Sequence, residues 1–172
     1  MVLVLATVVV ALIMVELPLG VRKLELYALH KSVGVFILGL TVARLGWRLS
    51  GRNPALLGPL HPFERILAHS VHASFYIVLI ALPLTGWLMS SAANFSVNVF
   101  GLFTLPDLVA PDKGLEETLK AAHYWLGWGM AGLLALHVAG ALKHHLFVGD
   151  VTLRRMIPGY RSRRQLNGQD FD

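Results

Sequence analysis

Eight histidines stand in a chain of 172 residues that is 55% hydrophobic and only 15% charged. An imidazole inside hydrocarbon is costly and usually has a partner there. His123 and His137 are fourteen residues apart. At about 1.5 Å per residue and 3.6 residues per turn, that is about 21 Å along one nearly constant helix face. A single helix can therefore present imidazole at two depths of a membrane. Imidazole is a common axial ligand of haem iron, and a haem held between two helices takes one histidine from each at matching depth. Cysteine is absent, which excludes disulfides, thiolate-bound iron–sulfur clusters and covalently attached haem, so any haem here is held by histidine or methionine.

The elements that must carry these side chains are four long apolar segments, roughly 2–17, 24–49, 62–91 and 115–148, each near or above the ~20 residues that span hydrocarbon. Mean hydropathy of +0.62 makes the bilayer the expected solvent. Pro18 and Gly20 end the first segment, Gly51 follows the second, Pro62 opens the third and Gly149 sits at a C-cap position. The first segment lacks the basic lead-in and the small-residue cleavage site of a signal peptide, so it reads as a retained helix.

Arg44, Arg48, Arg52 and Arg65 gather around the second connection, and Arg154, Arg155, Arg161, Arg163 and Arg164 in the tail. Both regions are expected on the cytoplasmic side. The third connection carries Asp107, Asp112, Glu116 and Glu117 and suits the opposite side. The fold expected is all-α: an integral membrane four-helix bundle of one domain over 1–172, both termini cytoplasmic, with a cytoplasmic tail over 149–172. The basic residues flank apolar segments and are assigned to topology; no nucleic acid is expected as a partner. Pro83 lies inside the third segment, where the missing backbone donor should kink the helix and widen space for a bulky ligand.

Depth matching pairs His30, near the outer start of the second helix, with His123 near the outer start of the fourth. Gly34 and Gly127 each follow a ligand histidine by four positions and leave its face free of side chain, which suits either a flat macrocycle or helix–helix contact. His137 lies deeper toward the cytoplasm. Its partner is expected from the cytoplasmic start of the first helix, where no histidine stands, so a ligand upstream of Met1 is expected, with His69 and His72 as fallback. His69 and His72, three residues apart on one face, are otherwise candidates for propionate or quinone contact. Lys143, His144, His145, Arg44 and Arg48 form a candidate rim for a quinone pocket at the same end. Arg22, Lys23 and Lys31 are basic residues on the outer side, candidates for contact with a haem propionate or an incoming anion.

These residues resemble the bacterial cytochrome b561 family, which is related to the cytochrome b subunits of nickel–iron hydrogenases and formate dehydrogenases. The resemblance rests on His30-x-x-x-Gly34, on Ala68-His69-Ser70-Val71-His72 running into Ala81-Leu82-Pro83-Leu84-Thr85-Gly86-Trp87, on His123 and His137, and on the tail His144-His145-x-x-x-Gly149-Asp150-x-x-Leu153-x-Arg155-Met156-x-Pro158-Gly159. It implies a multi-pass di-haem cytochrome of the bacterial inner membrane, with the fourth-helix histidines bonded to iron and paired with histidines of the first and second helices. The family's first helix opens on a ligand histidine at about the place where Met1 stands here. Two haems b are thus expected, the inner one with its second ligand unaccounted for in this chain. Some members of the family act as superoxide oxidases, passing electrons from periplasmic superoxide to ubiquinone. The expected function is therefore superoxide:quinone oxidoreduction, with ubiquinone or another quinone as acceptor. The competing expectation is an electron-relay membrane anchor that docks a periplasmic dehydrogenase, hydrogenase or small redox protein.

Overall fold

A computed structural model describes residues 1–51 and 62–143, which form four helices and one small hairpin. The first helix, α1 (Val2–Glu16), is almost entirely apolar and stops at Leu17, which turns extended ahead of Pro18. Its last carbonyls are closed by a side chain from the next element: Lys23 Nζ donates to Leu17 O at 2.7 Å and to Val15 O at 3.3 Å. An ammonium group is well suited to carbonyls left open at a helix C-terminus.

The second helix, α2 (Val21–Leu49), begins three residues earlier than hydropathy suggests, because Arg22 and Lys23 are good helix formers that lie outside the apolar run. It ends at Ser50 and Gly51, the latter at φ 82°, with Ser50 N bonded to Gly46 O and Gly51 N to Arg48 O. The third helix, α3 (Pro62–Ala92), opens on Pro62 and runs as one element through Pro83. Proline is tolerated in a first turn, where its missing donor has no intrahelical acceptor anyway.

The connection that follows adds one small hairpin to an otherwise helical chain. Strands β1 (Asn98–Val99) and β2 (Phe103–Thr104) pair antiparallel, Asn98 opposite Thr104 and Val99 opposite Phe103. The turn between them places Phe100 at φ 51° and Gly101 at φ 75°, and Leu102 N reaches Val99 O at 3.0 Å. The Asn98 side-chain carbonyl accepts from Gly101 N at 2.7 Å and holds this left-handed backbone in place. Two strand residues on each side are too few to leave a readable alternation in sequence.

The hairpin is tied to α2 through one hydroxyl. Ser32 is 2% exposed; its Oγ lies 2.8 Å from Ala28 O and 3.1 Å from Asn98 O, and it accepts from Phe100 N at 3.0 Å. Replacing Ser32 by alanine leaves Phe100 N without that acceptor and should cost about 1–3 kcal/mol. Limited proteolysis of the 93–112 connection, faster in S32A than in the parent, checks this.

The fourth helix, α4 (Lys113–Lys143), starts two residues before its expected position because Asp112 caps it, accepting from Leu115 N at 2.9 Å through Oδ1. Two stretches are long and apolar enough to cross a bilayer, Val21–Leu49 and His69–Ala92, while α1 is apolar but shorter. The chain divides into two compact units, Met1–Leu133 and Leu134–Asp172. Of the second, the described part is the end of α4, which carries His137. His61, His144, His145 and the tail from Gly149 onward lie outside the described residues, as does the Lys143 side chain.

Candidate haem site between α2, α3 and α4

His30 stands nine residues into α2 and His123 ten residues into α4, so both lie about 14–15 Å from the starts of their helices. The two rings face each other with centroids 6.2 Å apart and planes at 79°. They share a cavity of ≈ 90 Å³, also lined by Met14 of α1, Tyr27, Lys31 and Gly34 of α2, and Gly86 and Trp87 of α3. Gly34 has open space where a Cβ would point, which keeps the His30 face of α2 bare as its spacing suggests.

The His123 ring is held from α3. Its Nδ1 lies 3.1 Å from Leu82 O and 3.1 Å from Thr85 Oγ1. Thr85 has a single hydroxyl proton, and that proton goes to Leu82 O at 2.9 Å. Toward His123, then, Thr85 offers only lone pairs, as does the carbonyl. Two acceptors facing one nitrogen place the proton on Nδ1, which leaves the Nε2 lone pair free for a metal. Gly86 completes this seat: a Cβ there would stand 3.2 Å from His123 Cε1 and 3.5 Å from Nδ1.

His30 is seated differently. Its Nδ1 is buried without a hydrogen bond of proper geometry, although the Thr7 backbone is close enough to interact with the ring. A buried polar atom left in this state is costly unless something else satisfies the ring.

A second, more open cleft lies at the opposite end of α2. Arg48, His69, His72 and Tyr76 line it together with apolar Leu45, Leu49, Ala73 and Ile77. The Arg48 guanidinium stands over the Tyr76 ring at 5.6 Å.

The profile of the prokaryotic cytochrome b561 family matches residues 1–159. The chain belongs to this family. Among its relatives, cytochrome b561 homolog 2 of Escherichia coli is 35% identical over 129 residues, covering 75% of this chain and 69% of that protein. The probable superoxide oxidase CybB of Yersinia pestis is 34% identical over 133 residues, 77% of this chain and 75% of the relative. Cytochrome b561 homolog 1 of Escherichia coli is 30% identical over 130 residues, with coverages of 75% and 73%. The chain is thus a membrane protein of haem-based electron transport.

For a b561 cytochrome the α2–α4 cavity fits the group. His30 and His123 present imidazoles from two helices to one cavity, the donor set that a b haem would take. A metal bound here would take the lone pair that the His123 tautomer leaves on Nε2.

The other basic candidates separate. Lys31 lines this cavity, its ammonium 6.0 Å from the Phe95 ring centre. Lys23, expected as an anion or propionate contact, is instead engaged with the end of α1, and Arg22 does not line the cavity. Arg48, His69 and His72 do come together, whereas Arg44 does not line their cleft. Spacing and resemblance singled out the 81–87 stretch only for its kink and its motif, and thereby missed the use of Thr85, Leu82 and Gly86. Their proximity to His123 is a long-range contact that helical periodicity does not encode.

Proposed function

We propose that the chain is a superoxide:quinone oxidoreductase of the bacterial inner membrane, an integral membrane four-helix bundle of one domain with both termini cytoplasmic and two b haems. The observation that carries the reading is the His30–His123 pair, two imidazoles from different helices facing one cavity, with the His123 proton held on Nδ1 and its Nε2 left to bind a metal. His137, fourteen residues further along the same helix, is the ligand of the second. Haem at these sites supplies a one-electron carrier that cycles between ferric and ferrous iron.

In the overall reaction two superoxide anions each surrender one electron and leave as dioxygen, and one quinone takes up two electrons and two protons to become the quinol. The chain's own residues divide this work between the ends of α2. Lys31 places a positive charge at the mouth of the His30–His123 cavity, where it attracts a small anion. About 27 Å away along α2, Arg48, His69 and His72 offer donors to a quinone carbonyl, while Leu45, Leu49 and Ile77 offer an apolar wall to its tail. The arginine distribution around residues 44–65 assigns that cleft to the cytoplasmic side, where protons for the quinol are available. The span between the two clefts is too long for one carrier, which is the functional reason for a second haem.

The test is reduction of the purified cytochrome by a pulse of superoxide, followed by reoxidation on adding ubiquinone. No haem reduction under those conditions would falsify the superoxide assignment. Within it, K31E should slow reduction roughly tenfold or more at low salt, the lower range of electrostatic steering effects, with the difference shrinking as ionic strength rises. An unchanged rate removes Lys31 from the anion path.

A further inference from the structure

Thr85 does more than close its own helix. Its hydroxyl is donor to Leu82 O at 2.9 Å and, on the other side, faces His123 Nδ1 at 3.1 Å, while the same Leu82 carbonyl reaches that Nδ1 at 3.1 Å. We infer that Thr85 is a positioning residue that fixes the His123 tautomer and sets how strongly its Nε2 donates to haem iron. The inference rests on the proposed ligation by His123.

The physical argument runs through the shared proton. A hydrogen bond from Nδ1–H to an acceptor moves electron density into the imidazole ring and raises the basicity of the opposite nitrogen. A more basic axial ligand stabilises ferric iron over ferrous iron and lowers the reduction potential. The donor side of Thr85 is already committed to Leu82, so its lone pairs are aimed at His123 without choice of rotor. Without the hydroxyl, the Leu82 carbonyl still holds the Nδ1 proton but as a single acceptor, so the ring loses one of the two lone-pair partners that enrich it. Gly86 permits the close approach, since a Cβ at that position would press on the ring carbons next to Nδ1. The plain alternative is a threonine that merely bonds back to its own helix, which helical threonines often do. That role requires the contact to Leu82 but not the one to His123.

Valine at this position keeps the shape and removes the hydroxyl; serine keeps the hydroxyl. Both variants are made in the full chain, purified with haem, placed in lipid nanodiscs and titrated for reduction potential, with haem per polypeptide measured first. T85V is expected to bind haem at the parent level, to raise the midpoint potential of one haem and to shift its low-spin ferric resonance, while T85S returns both readouts to the parent values. An unchanged potential and resonance in T85V overturns the inference, and so does loss of haem from both variants, which would make Thr85 a folding residue. Failure of the ligand reading is seen separately, as full haem retention in H123A.

Discussion

Replacing His123 by alanine should abolish binding of one haem outright, and replacing His30 should remove the same haem. The rings of these residues face each other with centroids 6.2 Å apart, and the Nδ1 contacts of His123 leave its Nε2 as the metal-binding nitrogen. A site made of two axial ligands has no partial form that keeps both bonds. The two single variants and the double variant are therefore expected to give the same haem content, a non-additivity that marks residues acting as one unit. Pyridine haemochrome assay against protein concentration reads the stoichiometry, and the reduced spectrum identifies what stays bound. H69A is the matched control, since His69 lines the other cleft and should leave this haem in place. Parent-level haem in H123A would end the assignment of the cavity.

That His30 and His123 stand at one depth was legible in the sequence because depth in a helix is a matter of counting. From the expected segment starts near residues 24 and 115 they lie six and eight residues in, about two turns each, and rise per residue does not vary enough to spoil the match. Arg48 near the end of α2 and His69 and His72 near the start of α3 share a cleft because these two helices follow one another in the chain. Spacing says nothing about what crosses between helices. Lys23 counted as a loose outer cation, yet the break at Pro18 leaves carbonyls at the end of α1 that its ammonium closes. Thr85 and Gly86 looked like neighbours of a kink because Pro83 dominates that stretch. The hydropathy of α4 is low for a membrane span because its working residues are polar or small: His123, His137, the aromatics Tyr124, Trp125 and Trp128, and Gly127, Gly129, Gly132 and Gly140. The side chains that give the helix its chemistry are the ones that weaken its membrane signature.

The strongest effect at a residue with no chemistry of its own is expected at Gly86. Its missing side chain is the space into which the His123 ring fits, with the nearest ring carbon 3.2 Å from where a Cβ would stand. Alanine there asks the ring to give by a few tenths of an ångström, which the Nδ1 bonds to Leu82 and Thr85 resist, so G86A should keep haem and change its spectrum and potential. Leucine adds three further carbons on the wall of a cavity of only ≈ 90 Å³. Overpacking of this kind costs about 1–3 kcal/mol, and here the cheapest relief is to turn His123 away, because the helix backbone is fixed by its own hydrogen bonds. Haem retention in G86L should fall roughly 5- to 150-fold in apparent affinity, the same energy expressed as a binding ratio, while helix content by circular dichroism stays at the parent level. Haem titration of the stripped protein reads the affinity. If G86L binds haem as tightly as the parent, His123 does not need the position it holds against α3, and the link between that seat and iron binding fails with it. Loss of affinity in G86L with intermediate behaviour in G86A would locate the constraint on the α3 side of the cavity, where a Cβ meets the His123 ring.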